Sequence, residues 1–204
     1  MPPSLRYEKT LCKQGYKLIA GVDEVGRGPI AGPIVAAAVI LPSNCSIKGL
    51  DDSKKLTPQK RESLSLKIGK EAVDIGIGIV DHQTIDLINI WQANLLAMRR
   101  AIRDLALAPD YLLIDGGRYK LDLPIPQRGI TGGDGRCVSI AAASIIAKVV
   151  RDRLMDEYHK DYPLYRFNQH KGYGTKAHFQ LLKKYGPCAI HRRSFFPCRQ
   201  LFAG

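Results

Sequence analysis

The chain has 204 residues, 45% of them hydrophobic and 25% charged, which is the composition of an ordinary globular protein and excludes a disordered or fibrous one. Lysine and arginine number 31 against 19 acids, a formal net charge of +12, so a polyanionic partner is expected, although charge alone does not separate DNA from RNA, ribosome or acidic lipid. Five scattered cysteines without a Cys-x-x-Cys pair speak against a disulfide framework and for a reducing cytoplasm; no membrane span is expected either, because the longest strongly apolar stretch, residues 34–41, is too short to cross a bilayer.

In chain order, "KLIAGV" (17–22) and "PIVAAAVIL" (33–41) predict buried strands joined by a tight Gly/Pro-rich connection. A helix follows "DDSKKLT", with Thr57 as N-cap, Pro58 at the first helical position, and Leu64, Ile68 and Ala72 spaced by four. "VDIGIGIV" (73–80) alternates as a strand does. From Thr84 to Leu107 the spacing of Ile88, Trp91, Leu95, Met98, Ile102 and Leu105 predicts a long amphipathic helix. "DYLLIDG" (110–116) is a short strand ending in an acid and a glycine. Residues 139–160 predict a second long helix, buried at its Ala/Ile-rich start, and residues 175–185 a third, before a basic, irregular tail. No repeat or long linker divides the chain, and strands followed by helices alternating with a strand predict an α/β domain with a central mixed sheet.

The acids then sort by position. Asp23 and Glu24 close the first strand, Asp115 closes "YLLID", and Asp134 sits in "TGGDG" just ahead of the second long helix. A lone acid at a strand end is usually a turn or cap residue. Here several converge, each beside glycine or an apolar run, with no His or Cys near them in sequence, and such hard oxygen ligands suit Mg²⁺ or Mn²⁺ and not zinc. Two such ions activate water and stabilise the leaving oxygen of a phosphodiester without a protein nucleophile. The adjacency of Asp23 and Glu24 is a difficulty, since neighbours on a strand point to opposite faces. Either the strand ends at Asp23, or Glu24 contributes partly through its main-chain carbonyl.

Six ordered stretches, "GVDEVGRGPIAGPIVAAAVIL", "DDSKKLT", "YLLIDG", "GDGRCVSIAAASIIAKVVRD", "NQHKGYGTKAH" and "HRRSFF", closely resemble the type 2 ribonucleases H, ribonuclease HII of bacteria. The resemblance covers roughly residues 17–197. It implies a ribonuclease H-like fold, a central mixed β-sheet flanked by helices, over residues 1–160, with a helical C-terminal extension, residues 161–204, packed on the same domain. It also implies metal-dependent cleavage of RNA paired to DNA, including cleavage 5′ of a single ribonucleotide embedded in duplex DNA, giving 3′-hydroxyl and 5′-phosphate ends. Carried onto this sequence, the family's metal-binding acids are Asp23, Glu24, Asp115 and Asp134. Its glycine-arginine-glycine element is Gly26, Arg27 and Gly28, which grips the backbone around the 2′-hydroxyl. Lys54 corresponds to the lysine beside the scissile phosphate, and Tyr173 to the tyrosine stacked on the following deoxyribose. The expected partners are RNA/DNA hybrids and ribonucleotide-containing DNA, and the expected state is a monomer.

Other motifs stay outside that set. Asp152, flanked by Arg151 and Arg153, reads as a structural ion pair. "HRRSFF" reads as an anchor for the extension, with His191, Arg192 and Arg193 as candidate phosphate contacts. Cys188, His191 and Cys198 match no usual zinc spacing. The final "RQLFAG" has one aromatic residue, so no tight sliding-clamp contact is expected. A non-catalytic nucleic-acid-binding protein explains the charge but not the acids, because carboxylates repel phosphate unless cations intervene. A small-molecule phosphatase explains the acids but neither the charge nor Tyr173.

Overall fold

A computed structural model describes residues 2–45, 47–117 and 119–201. Residues 202–204 of the final "RQLFAG" lie outside that range. The elements run α1 (Arg6–Lys13), β1 (Ile19–Val25), β2 (Ile34–Ile40), α2 (Pro58–Glu71), β3 (Asp74–Val80), α3 (His82–Arg103), β4 (Tyr111–Asp115), β5 (Gln127–Ile130), α4 (Val138–Asp161), α5 (Phe167–His170), α6 (Lys176–Tyr185) and α7 (Cys198–Leu201). Short 3₁₀ turns occupy Gly133–Gly135 and Pro163–Tyr165.

The strands form one mixed sheet in the order β3-β2-β1-β4-β5, antiparallel across β1, β2 and β3 and parallel from β1 through β4 to β5. Both faces are covered, which is why β2, "IVAAAVI", is apolar throughout instead of alternating. On one face α3 packs over Val22, Ile34, Ala36 and Ile114. On the other, α2 and α4 close over Val35, Ala37 and Val39.

Glycines set how close the helices come. A Cβ on Gly21 would fall inside the peptide joining Ser139 and Ile140 of α4, and Cβ atoms on Gly76 and Gly78 would strike the carbonyls of Ala101 and Ala97 in α3. Gly21 puts the start of α4 directly on β1, two residues before Asp23.

Several elements differ from expectation, among them α7, a short helix within the tail that was expected to be irregular. α3 starts at His82, not Thr84, because Asp81 caps it by accepting from the Thr84 N–H at 2.7 Å. It is also broken at Asn89, whose φ is 65° and whose Oδ1 accepts from Trp91 and Gln92 as a second cap. The break shifts the helical phase, so Trp91 is 44% exposed while Met98 and Ile102 are buried. The helix ends at Arg103 because the carboxylate of Asp104, at its C-cap, turns back to accept from the Ile77 N–H on β3 at 2.8 Å.

α1 and β5 have no counterpart in the sequence reading. β5 is only "QRGI", without an apolar run, and is a strand because β4 supplies its partners. α1 contributes buried Glu8, whose Oε1 accepts from the Ser139 N–H at 2.9 Å and from the Cys137 thiol at 3.1 Å. Glu8 thereby caps α4, whose own N-cap residue, Cys137, makes no side-chain cap.

Candidate active site

β1 runs on to Val25, with Asp23 opposite Ala37 and Glu24 opposite Ala36. The strand therefore does not end at Asp23, and the first explanation of the adjacent acids fails. Asp23 faces α4, and its Oδ1 accepts from the Glu24 N–H at 2.7 Å. Glu24 turns to the other face, where Oε1 meets Arg27 Nη1 at 3.3 Å and Oε2 is buried without a partner.

Parallel pairing brings in the third acid. Val22 pairs with Ile114, so Asp23 and Asp115 follow on neighbouring strands, about 4.8 Å apart in backbone. Asp115 Oδ1 accepts from the Gly133 N–H at 2.6 Å, which ties β4 to the 3₁₀ turn and brings Asp134 alongside. Asp134 Oδ2 lies 3.7 Å from Lys54 Nζ, so the loop ahead of α2 also reaches the cluster. Four separate segments thus bring Asp23, Glu24, Asp115, Asp134 and Lys54 to one end of the sheet.

The electrostatics show a site short of positive charge. Burial, and then the charges of Glu24 and Asp115, raise Asp23 well above the usual carboxylate range. Burial also raises Glu24, with Asp115 adding to it and Arg27 opposing. Asp134 is raised by burial and by Asp115 and Asp52, against Lys54. Partial burial pulls Lys54 down, yet Asp52, Asp134, Asp23 and Asp115 together outweigh it and raise its pKa. Among the described residues, no three His, Cys, Asp or Glu side chains already stand at metal-ligand spacing. Backbone N–H groups of Glu24, Gly133 and Gly135 each hold one carboxylate oxygen, of Asp23, Asp115 and Asp134 in turn. An all-oxygen donor set, mutually raised acids and an orphaned Glu24 oxygen fit a hard divalent cation.

Beside the acids, Glu24, Gly26, Arg27, Gly28, Lys54 and Tyr173 line a cleft of about 240 Å³. Gly26 has φ 101° and packs its α-carbon on the Arg151 side chain, so both conformation and contact require glycine. Gly28 differs: a Cβ there would meet only Tyr173, in ordinary contact at 3.9 Å, so the position itself has room for about a methyl group, and the open space is the cleft that the loop and the ring line together. Tyr173 is 39% exposed, with Arg151 and Lys148 each 5.8 Å from its ring centroid.

The sequence reading missed what holds this cleft. Arg192 is fully buried and donates to the carbonyls of Gly26 at 2.6 Å, Gly32 at 3.0 Å, Arg27 at 3.2 Å and Pro33 at 3.2 Å. Arg151, also buried, donates to Pro33 at 2.9 Å, Lys171 at 2.9 Å and Ala31 at 3.2 Å. Burial pulls Arg151 down to about 10 and Arg192 to about 9, which leaves both charged near neutrality. With their carbonyls turned inward, Gly26 and Arg27 are locked from behind. His191 and Arg192 are therefore not phosphate contacts, since neither reaches solvent. The tail anchors partly through Asp86, which accepts from the Arg193 and Ser194 N–H groups. Asp152 does form ion pairs, but with Lys148 at 2.6 Å and Arg61 at 3.8 Å, not with its neighbours. Arg151 and Arg153 leave the helix on other faces, the first toward the loop carbonyls and the second toward Glu62.

Residues 20–198 match the family model described as Ribonuclease HII. The chain belongs to the ribonuclease HII family. Ribonuclease HII of Enterococcus faecalis is 57% identical over 196 residues, 96% of this chain and 76% of that protein. Ribonuclease HII of Bacillus licheniformis is 55% identical over 193 residues, 95% of this chain and 75% of that one. The crystal structure of ribonuclease H2 from Pyrococcus horikoshii superposes with a TM-score of 0.73 at 26% identity, covering 90% of this chain and 96% of that one. As a ribonuclease HII, the protein is a metal-dependent ribonuclease H acting on RNA–DNA hybrids. Among the described residues, no helix is long and apolar enough to cross a membrane.

Proposed function

We propose that this enzyme cuts the RNA strand of RNA/DNA hybrids internally and also incises duplex DNA on the 5′ side of a single embedded ribonucleotide, leaving 3′-hydroxyl and 5′-phosphate ends. The observation that carries this reading is the cleft of about 240 Å³ lined by Gly26, Arg27, Gly28, Lys54 and Tyr173, which includes Glu24 of the acid cluster. A sugar in that cleft would have the main chain of the loop and the Tyr173 ring among its walls.

Each residue has a role in this reading. Asp23, Glu24, Asp115 and Asp134 hold Mg²⁺ or Mn²⁺, and the raised acids and the free Glu24 oxygen support that role. A bound pair of such ions supplies Lewis acidity and an activated water. Lys54, drawn toward Asp134, contacts the phosphate at the cut. Main-chain groups of Gly26, Arg27 and Gly28 read the 2′-hydroxyl, the group that tells a ribonucleotide from a deoxyribonucleotide. Tyr173 stacks on the next deoxyribose and so reads the junction from RNA to DNA. Residues 161–204 form the extension that brings Tyr173 to the catalytic unit, residues 1–160. Five free cysteines agree with a reducing cytoplasm, where the enzyme would remove ribonucleotides from DNA as a monomer.

The test is the ratio of kcat/KM on a DNA duplex with one ribonucleotide to that on a continuous RNA/DNA hybrid. Tyr173→Ala is expected to lower the first more than the second, because a continuous hybrid has no junction to read. Equal losses on both would reduce Tyr173 to a packing residue.

A further inference from the structure

Two large clefts are lined by cations, and they differ in how their charges are balanced. The first, about 520 Å³, runs along α2 and α4 to Tyr173 and contains Arg61, Lys148, Arg153 and Lys171. Each of those cations has a carboxylate partner: Asp152 for Arg61 and Lys148, Glu62 for Arg153, and Asp156 for Lys171. The second, about 550 Å³, opens between α1 and the β4–β5 edge, where Arg6, Arg128 and Arg136 line it and no acid does. Among the described residues, none of these three arginines forms an ion pair.

Two of the three are nonetheless held in place by neutral groups. The Arg128 guanidinium lies 5.5 Å from the centroid of the Tyr7 ring, and Arg136 Nη1 donates to the Thr131 carbonyl at 3.3 Å. Ordering a long cation while leaving its charge uncompensated suits an anion that arrives from outside, and planar guanidinium groups match phosphate oxygens well.

The location is specific as well. Arg136 lies two residues beyond Asp134, at the end of the same turn, and Arg128 pairs with Leu113, two residues before Asp115 on β4. Two strand residues span about 7 Å, so the cleft begins about one nucleotide step from the acids. It lies on the β5 side of Asp115, whereas Gly28 and Tyr173 lie on the β1 side.

We propose that the cleft of Arg6, Arg128 and Arg136 is a second phosphate-binding site, which takes the sugar-phosphate backbone of the substrate duplex on the 5′ side of the cut. The direction rests on the assignment of Tyr173 to the 3′ side under the proposed function. The site would extend the grip on the duplex beyond the family motifs, since Arg6 lies outside the matched residues 20–198.

The experiment uses the double variant Arg6→Gln/Arg128→Gln, both exposed positions, and spares Arg136 because of its closeness to Asp134. A control, Lys67→Gln/Lys70→Gln on the exposed side of α2, removes the same charge elsewhere. On a long duplex the test variant is expected to raise KM with kcat unchanged. Its plot of log affinity against log salt should flatten by about 1.8, since each phosphate that is no longer neutralised reduces the slope by about 0.9. Shortening the duplex on the 5′ side should bring the wild-type KM up to that of the variant, while shortening the 3′ side should preserve the difference. Unchanged KM and salt slope on the long duplex would overturn the proposal. So would an equal loss in the control, or a difference that survives 5′ shortening, since either outcome makes the effect one of general charge. Failure of the wild type to cut an embedded ribonucleotide would instead defeat the proposed function, and the cleft would then be judged by the salt slope of hybrid binding alone.

Discussion

Acidification from pH 7 to pH 5 is expected to destabilise the fold through two histidines beneath Tyr173. His178 and His191 are both fully buried. Their hydrogen bonds form one directed chain: the Cys188 N–H donates to His191 Nδ1 at 3.0 Å, His191 Nε2–H donates to His178 Nε2 at 3.0 Å, and His178 Nδ1–H donates to the Tyr173 carbonyl at 2.9 Å. Every ring nitrogen is satisfied while both rings are neutral. A further proton on His178 would set donor against donor at the central contact. His170 stacks on His178 at 4.1 Å, and the rings of Tyr165 and Phe167 also pack against the pair; among the described residues, neither histidine has a carboxylate partner to offset an added charge.

Burial pushes His178 down to about 3 and His191 to about 4, from an ordinary value of 6.5. The folded pKa values lie below the unfolded ones, so stability is complete above about pH 6.5 and is lost as pH falls toward the folded values. At pH 5 an unfolded histidine has gained a proton that the folded one refuses, over about 1.5 pH units. At about 1.4 kcal/mol per unit this costs about 2 kcal/mol per ring, and about 4 kcal/mol for the pair. That is a large share of a typical stability of about 5–15 kcal/mol. Asp23, Glu24 and Asp134 act in the opposite sense, because their raised pKa values let the folded state bind protons more readily on acidification. The histidine contribution is therefore isolated by difference. Urea unfolding of the wild type and of His178→Gln at pH 7 and pH 5 should show a pH-induced loss about 2 kcal/mol smaller in the variant. Equal losses in the two proteins would refute the neutral-pair reasoning.

Three further outcomes are expected. Asp23→Asn should lose cleavage by about a thousandfold or more, as removal of a ligand worth several kcal/mol in the barrier implies, while its melting temperature holds or rises because a buried, repelled charge is gone; near-normal turnover in saturating Mg²⁺ would defeat the assignment. Gly21→Ala should lower stability by about 3 kcal/mol or more, since its Cβ would enter the backbone of α4, and an unchanged thermal midpoint would contradict that close approach. Gly28→Val should keep the melting temperature and lose activity on both the hybrid and the single-ribonucleotide duplex, because its side chain would meet only the partly exposed Tyr173 ring while filling the cleft; activity loss accompanied by unfolding would show a structural role instead.

How far the site was legible in the sequence depends on what identifies each residue. The acids could be found because each is marked locally, at the end of an apolar run or between glycines, and a sheet that gathers strand ends converts those local marks into one cluster. β5 carries no such mark: four residues with a charged and a glycine position become a strand only when β4 is beside them. Arg151, Arg192, His178 and His191 look in sequence like surface cations or phosphate ligands, the reading proposed for two of them. The arginines' true partners are carbonyls, most of them far along the chain, as in the 166 residues between Arg192 and Gly26, while the histidines pair with each other and with backbone groups only a few residues away. Buried polar groups of this kind are defined by tertiary contact, and no periodicity announces them. The division has a physical basis. The candidate site side chains stand at strand ends and in glycine loops, where local sequence is informative, whereas the groups that fix those loops are buried against backbone. Arg192 holds the carbonyls of Gly26 and Arg27, and His178 holds that of Tyr173, so both sides of the cleft between Gly28 and Tyr173 are fixed by buried groups that do not line it.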